Sequence, residues 1–113
     1  MQTNCWQEEL PAAITITDEN GIIIEMNQKA AAVFESSGGK QLIGENIKDC
    51  HPEHTHAKID RISRSDKPNI YTIRKDGRRK MIFQSAYYHD GKFSGLVEIS
   101  FEIPEEIPDF NRD

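Results

Sequence analysis

Two periodicities divide the chain. Ala13-Ile14-Thr15-Ile16-Thr17 alternates in period two with β-branched residues, which predicts a strand. Asp18-Glu19-Asn20-Gly21 follows as a turn, Gly21 supplying a residue free to take positive φ. Ile22 to Met26 reads as a second strand, so the pair forms a hairpin. Asn27 then caps a helix from Gln28 to Glu35, whose alanines and Val33-Phe34 suit helical packing. Ser36-Ser37-Gly38-Gly39 breaks that helix. Gln41 to Ile47 predicts a short helical turn around Leu42, Ile43 and Ile47. Pro52 suits the first turn of a further helix reaching Arg64, with His56, Ile59 and Ile62 on one stripe; Lys67-Pro68 stops it. The last third returns to period two. Asn69 to Arg74, Arg79 to Tyr88 and Lys92 to Ile103 predict three strands, separated by Lys75-Asp76-Gly77 and His89-Asp90-Gly91. Asp-Gly between alternating runs is a hairpin signal. Ahead of all this, Cys5 to Leu10 predicts a short helix with Trp6 and Leu10 four apart, ended by Pro11.

The element order β-β-α-α-α-β-β-β closes most simply as one five-stranded antiparallel sheet with short helices packed on one face, an α+β architecture. The space enclosed between the layers is where a ligand would sit. Residues 1–10 form an N-terminal capping segment, 11–103 the domain, and 104–113 an acidic tail with two prolines.

Composition narrows the function classes. The chain has 113 residues, enough for one domain. Isoleucine, phenylalanine, leucine and valine contribute 25 of them, just above the composition at which folding fails, so the core is lean. A net charge of −5 argues against a general binder of nucleic acid or anionic membrane. No apolar run reaches the length of a membrane span, and Met1 to Glu9 has no basic and apolar regions of a secretory signal. Cys5 and Cys50 make no disulfide framework, so a cytoplasmic setting is expected.

Several short stretches, in order, resemble the PAS family of sensory domains. Asp18-x-x-Gly21-x-Ile23-x-x-x-Asn27-x-x-Ala30 with Val33-Phe34 is similar to the family's first hairpin and helix. Leu42-Ile43-Gly44 and His51-Pro52-Glu53 resemble its central segment. Lys75-Asp76-Gly77 resembles the turn between its third and fourth strands, and Asp90-Gly91, Gly95 and Glu102-Ile103 its final hairpin. The likeness spans residues 11–103. Cys50-His51-Pro52 and the strand Leu96 to Ile103 also resemble PAS modules joined to hemerythrin-like proteins. The resemblance implies a ligand-binding or protein-interacting signalling module, often dimeric, without a reaction of its own. Met1 favours a stand-alone sensor over an excised domain.

The family register, laid on Glu102-Ile103, points Leu96, Glu98 and Ser100 inward. It also implies Met81, Phe83 and Ser85 inward from the fourth strand and Thr15 and Thr17 from the first. With Phe34, Ile47, His56 and Ile59 from the helical side, these form the expected ligand site, small and partly polar. Glu98 would need a partner there, either His56 or a ligand bearing an amine or hydroxyl. The outer face, carrying Ile14, Ile16, Val97, Ile99 and Phe101, is then too apolar to meet water. Trp6 and Leu10 and a second subunit are expected to cover it, giving a homodimer; a signalling protein is a further expected partner.

Competing chemistries draw on the same residues. Cys50, His51, His54 and His56 carry metal-ligand atoms, but C-H-x-x-H-x-H fits no standard structural zinc spacing. His56 is placed where PAS domains that bind haem hold a histidine, though the neighbouring haem-sensing pattern is absent. The reactive thiol of flavin photosensors is missing after Gly44, Cys50 falling three residues late. The sequence therefore names no cofactor. The basic run Arg74, Lys75, Arg78, Arg79 and Lys80 lacks interleaved aromatics and spans a hairpin tip, which reads as a solvated turn. No nucleophile elbow, phosphate loop or paired carboxylates with a base point to an enzyme. A haem- or metal-linked redox or gas sensor using His56 or the Cys50 cluster, and a ligand-free dimerisation or docking module, are the alternatives.

Overall fold

The computed structural model of the protein describes residues 6–51 and 53–113, with Cys50 described by its backbone only. Five strands form one antiparallel sheet: β1 (Ala13–Thr17), β2 (Ile23–Met26), β3 (Asn69–Lys75), β4 (Arg78–His89) and β5 (Lys92–Ile103). Their spatial order is β2-β1-β5-β4-β3. Between β2 and β3 lie α1 (Gln28–Val33), four short 3-10 turns and α2 (His56–Ser63), covering one face of the sheet. This is the expected architecture. No described helix is long and apolar enough to cross a membrane.

Local chemistry sets each joint. Oδ1 of Asp18 accepts from the backbone N–H of Asn20 and of Ile22, both at 2.9 Å, folding the first turn around its own side chain. Asn27 caps α1: its Oδ1 accepts from Ala30 N at 3.0 Å. The same oxygen accepts from Ile14 N at 2.9 Å, while Nδ2 donates to the carbonyls of Gln7 at 2.7 Å and Ala12 at 2.8 Å. One buried amide thus ties helix, first strand and N-terminal segment together. Both Asp-Gly pairs take positive φ at both residues, 53° and 74° at Asp76-Gly77 and 51° and 76° at Asp90-Gly91, the geometry of tight two-residue hairpins.

The helix expected over Cys5 to Leu10 is, in its described part, a single turn. Pro11 stops it at once, and the backbone carbonyls of Gln7 and Glu8 are taken by Asn27 and by the N–H of Gln28. Trp6 stands exposed at 72%. The helix expected from Gln28 to Glu35 tightens into a 3-10 turn at Glu35–Ser37, before the positive φ of Gly38 and Gly39. The one expected from Pro52 to Arg64 begins as a 3-10 turn, Glu53–Thr55, and becomes α-helical only at His56; Pro52 itself lies outside the described residues.

The main core sits at the β1–β2 end, where Ala13, Ile23, Met26, Ala30 and Leu42 are buried together with Phe34 and Ile47 against them. The loop after Leu42 also covers the β2 edge: Ile23 N donates to Glu45 O at 2.9 Å, Gly44 N to Ile23 O at 2.8 Å and Ile47 N to Gly21 O at 2.7 Å. An edge that would otherwise offer unpaired backbone groups is so occupied.

One register detail corrects the expected inward set. At the tip of the last hairpin His89 faces Lys92 and Tyr88 faces Phe93, but Tyr87 faces Gly95. Ser94 is the extra residue of a bulge, and it shifts all later pairings by one. An unbulged hairpin would set Phe83 opposite Glu98 and Met81 opposite Ser100. The observed partners are Gln84 and Ile82. Residues paired across an antiparallel ladder share a face. Ile82 and Gln84 therefore face the helices with Ser100 and Glu98, and Met81 and Phe83 join Phe101 and Ile99 on the outer face.

Candidate functional site

Beyond the β1–β2 core the layers diverge and enclose a cavity of about 330 Å³. Its floor is the inner face of β1, β5, β4 and β3. Its roof is the end of α1, the 3-10 turns and α2. Apolar walls come from Val33, Phe34, Ile47, Ile59 and Ile62, polar ones from Thr15, Ser100, Gln84, Tyr71, His51 and Glu98. The lean core forecast by composition is the reason a hollow exists: helices this short cannot cover twelve-residue strands along their length.

A polar row crosses the middle of the floor. The strand register sets Asn69 beside Gln84, Gln84 beside Glu98, and Glu98 beside Thr15. Asn69 Nδ2 donates to Gln84 Oε1 at 2.8 Å, which turns the Gln84 amide nitrogen the other way, toward the Tyr71 hydroxyl at 3.4 Å and toward Glu98. Burial pushes the Glu98 carboxyl above its usual range; His51, the hydrogen bond from Gln84, and Lys58 act in the opposite direction. Burial likewise raises the Tyr71 phenol, and the Glu98 charge adds to this. Lys58 lies over the Tyr71 ring with its nitrogen 4.4 Å from the centroid.

The expected site residues separate into two groups. Phe34, Ile47, Ile59, Ser85, Leu96, Glu98 and Ser100 line the cavity, with Thr15 and Thr17. Ser85 does so at the margin, its hydroxyl turned to the Ala86 carbonyl at 2.8 Å. His56, Met81 and Phe83 are not among the lining residues. His56 points Nε2 at the carbonyls of Lys48, 2.7 Å away, and His51, 3.2 Å away. Carbonyls only accept, so Nε2 carries the proton and fastens α2 to the preceding turn. The histidine of the cavity is His51, whose Nδ1 donates to Ile47 O at 2.8 Å. Sequence reasoning missed His51, Lys58, Tyr71 and Gln84. Tyr71 and Gln84 were legible as alternating positions, had the bulge been known.

The rings of His51 and His56 are committed to backbone carbonyls and His54 is exposed, while the side chain of Cys50 lies outside the described residues. Among the described residues no three metal-ligand side chains gather. Within the basic run, Arg78 pairs with Glu102 at 2.9 Å and Arg74 with Glu105 at 3.5 Å on the surface.

On the outer face, Ile14 is buried, whereas Ile16 and Ile99 are half-buried and Phe101 is exposed; Val97, also half-buried, borders the cavity with its ladder partner Ser85. Met81, Phe83 and the exposed Ile70 extend this apolar surface through their pairings with Phe101, Ile99 and Phe83. Leu10 is half-buried, and Glu8 near it is paired to Lys40 at 2.6 Å, on the α1 side of the molecule.

Comparison with known proteins follows the same outline. The model of the PAS fold family matches residues 6–93. No curated protein matches the chain. Among solved structures, the chain is similar to a PAS domain from Colwellia psychrerythraea (TM-score 0.62, 22% identity, 88% of this chain and 92% of that one). It is also similar to the PAS domain of BvgS from Bordetella pertussis (TM-score 0.66, 16% identity, 88% and 82%). A third likeness is to a sensory box sensor histidine kinase from Vibrio cholerae (TM-score 0.62, 16% identity, 85% of both chains). Sheet order, helical cover and a family match over most of its length agree: this chain belongs to the PAS fold family.

Proposed function

We propose that this PAS domain senses a small molecule held between sheet and helices, and passes the bound state on through its outer sheet face to a second copy or a signalling partner. PAS domains are generally sensory modules rather than enzymes. The observation that carries the reading is the cavity: about 330 Å³, mainly apolar on the roof, with polar groups converging from four strands. Signalling then follows from differential binding. A ligand favours whichever arrangement of the short helices fits it, and a partner reads that bias.

Native mass spectrometry of the freshly purified chain tests this. A retained small mass is expected, lost when Ser100→Phe fills the floor. Absence of any retained mass, together with unchanged melting of the parent chain across a metabolite library, would overturn the reading.

A further inference from the structure

The centre of the cavity floor is unbalanced in charge. Among the described residues Glu98 is its sole acidic lining residue, it sits mid-floor, and it enters none of the ion pairs of those residues. Its hydrogen-bonding neighbour is the neutral amide of Gln84, held in orientation by Asn69. The two basic side chains that act on it are engaged elsewhere, Lys58 over the Tyr71 ring and His51 through Nδ1 on the Ile47 carbonyl. Lys75 and Lys80 also line the cavity, but at its β3–β4 hairpin end, Lys80 lying four residues along β4 from the Gln84 that pairs with Glu98. A carboxylate withdrawn from water without a direct cation is costly, and a cation brought to it recovers that cost.

The polar groups around Glu98 point the same way. Thr15, Ser100 and Tyr71 offer hydroxyl oxygens. A donor-rich head group meets partners here, whereas a carboxylate or phosphate would be set against Glu98. Opposite this floor stand Ile47, Ile59 and Ile62, which suit an apolar body. We propose that the cavity takes a small organic amine, its protonated nitrogen seated on Glu98 and its hydrocarbon part under α2. This rests on the reading of the hollow as a ligand site, and it names the class of ligand.

The test uses three probes of one shape on the whole chain: phenethylamine, propylbenzene and phenylacetate, followed by calorimetric titration and thermal melting. Phenethylamine is expected to bind and raise the melting temperature, phenylacetate to do neither, and propylbenzene to bind more weakly. Glu98→Gln, which keeps the shape and removes the charge, is expected to weaken phenethylamine about tenfold or more. Propylbenzene or phenylacetate binding as tightly as phenethylamine would overturn the amine assignment and leave the ligand cavity standing. Failure of all three probes to bind would overturn both. Should Glu98→Gln not fold, the comparison of probes on the unmodified chain decides alone.

Discussion

Every polar atom of the Asn27 side chain is used twice. Oδ1 serves Ile14 and Ala30, Nδ2 serves Gln7 and Ala12, and the residue is 3% exposed. Asn27→Ala leaves buried backbone groups on two elements without partners and is expected to lower stability by about 2–4 kcal/mol in urea denaturation. Asn27→Asp keeps the acceptor but sets a carboxylate oxygen against two carbonyls, so it should not rescue the loss. Glu98 gives the second residue-scale expectation. Its folded pKa lies above the 4.5 of an ordinary glutamate, so the folded state holds the proton more tightly than the unfolded chain. The stability this contributes is complete below the unfolded pKa and is lost as pH rises through the folded one. Melting temperatures of Glu98→Gln and the parent chain, measured from about pH 4 to 8 without ligand, should diverge upward through that window in favour of the variant. Parallel curves would count against the burial of this charge.

At the scale of elements, Gly95 is the position most sensitive to change. A Cβ there would run into the Thr17 carbonyl oxygen and lie 2.9 Å from the Tyr87 ring, whose hydroxyl donates to that same carbonyl at 2.9 Å. Gly95→Ala must push β1 and β5 apart, and a loss of about 3 kcal/mol or more is expected in thermal or urea unfolding. Gly77→Ala, with open space around it but a positive φ, should cost only about 1 kcal/mol. The contrast shows what could be read from the chain. The element order along the chain, the Asn27 cap and both Asp-Gly hairpins are local chemistry, carried by residue types at fixed spacing. The bulge at Ser94 is not: it depends on how Gly95 meets Thr17, a residue at the far end of the sequence. For that reason the inward set was legible on β5 and displaced by one residue on β4. His56 was misplaced for a similar reason, since the helical stripe shows which side of α2 it occupies but not the carbonyls of Lys48 and His51 that claim its ring.

On the scale of the whole molecule, the outer face is the surface through which the proposed signalling would pass. Ile70, Met81, Phe83, Ile99 and Phe101 lie across three neighbouring strands as an apolar patch, with Ile70 and Phe101 exposed. If the chain self-associates there, Ile99→Lys combined with Phe101→Glu should convert a dimer to a monomer in sedimentation velocity while leaving the circular dichroism spectrum intact. A parent chain that sediments as a monomer at all accessible concentrations would remove that interface. The junction at Asn27 has one more consequence. The N-terminal turn, the first strand and α1 meet at a single amide, and α1 ends in Val33 and Phe34, two of the cavity's own walls. A shift of the turn at Gln7 and Glu8 is thereby in series with the chamber: it cannot move without disturbing the rafter that ends in Val33 and Phe34.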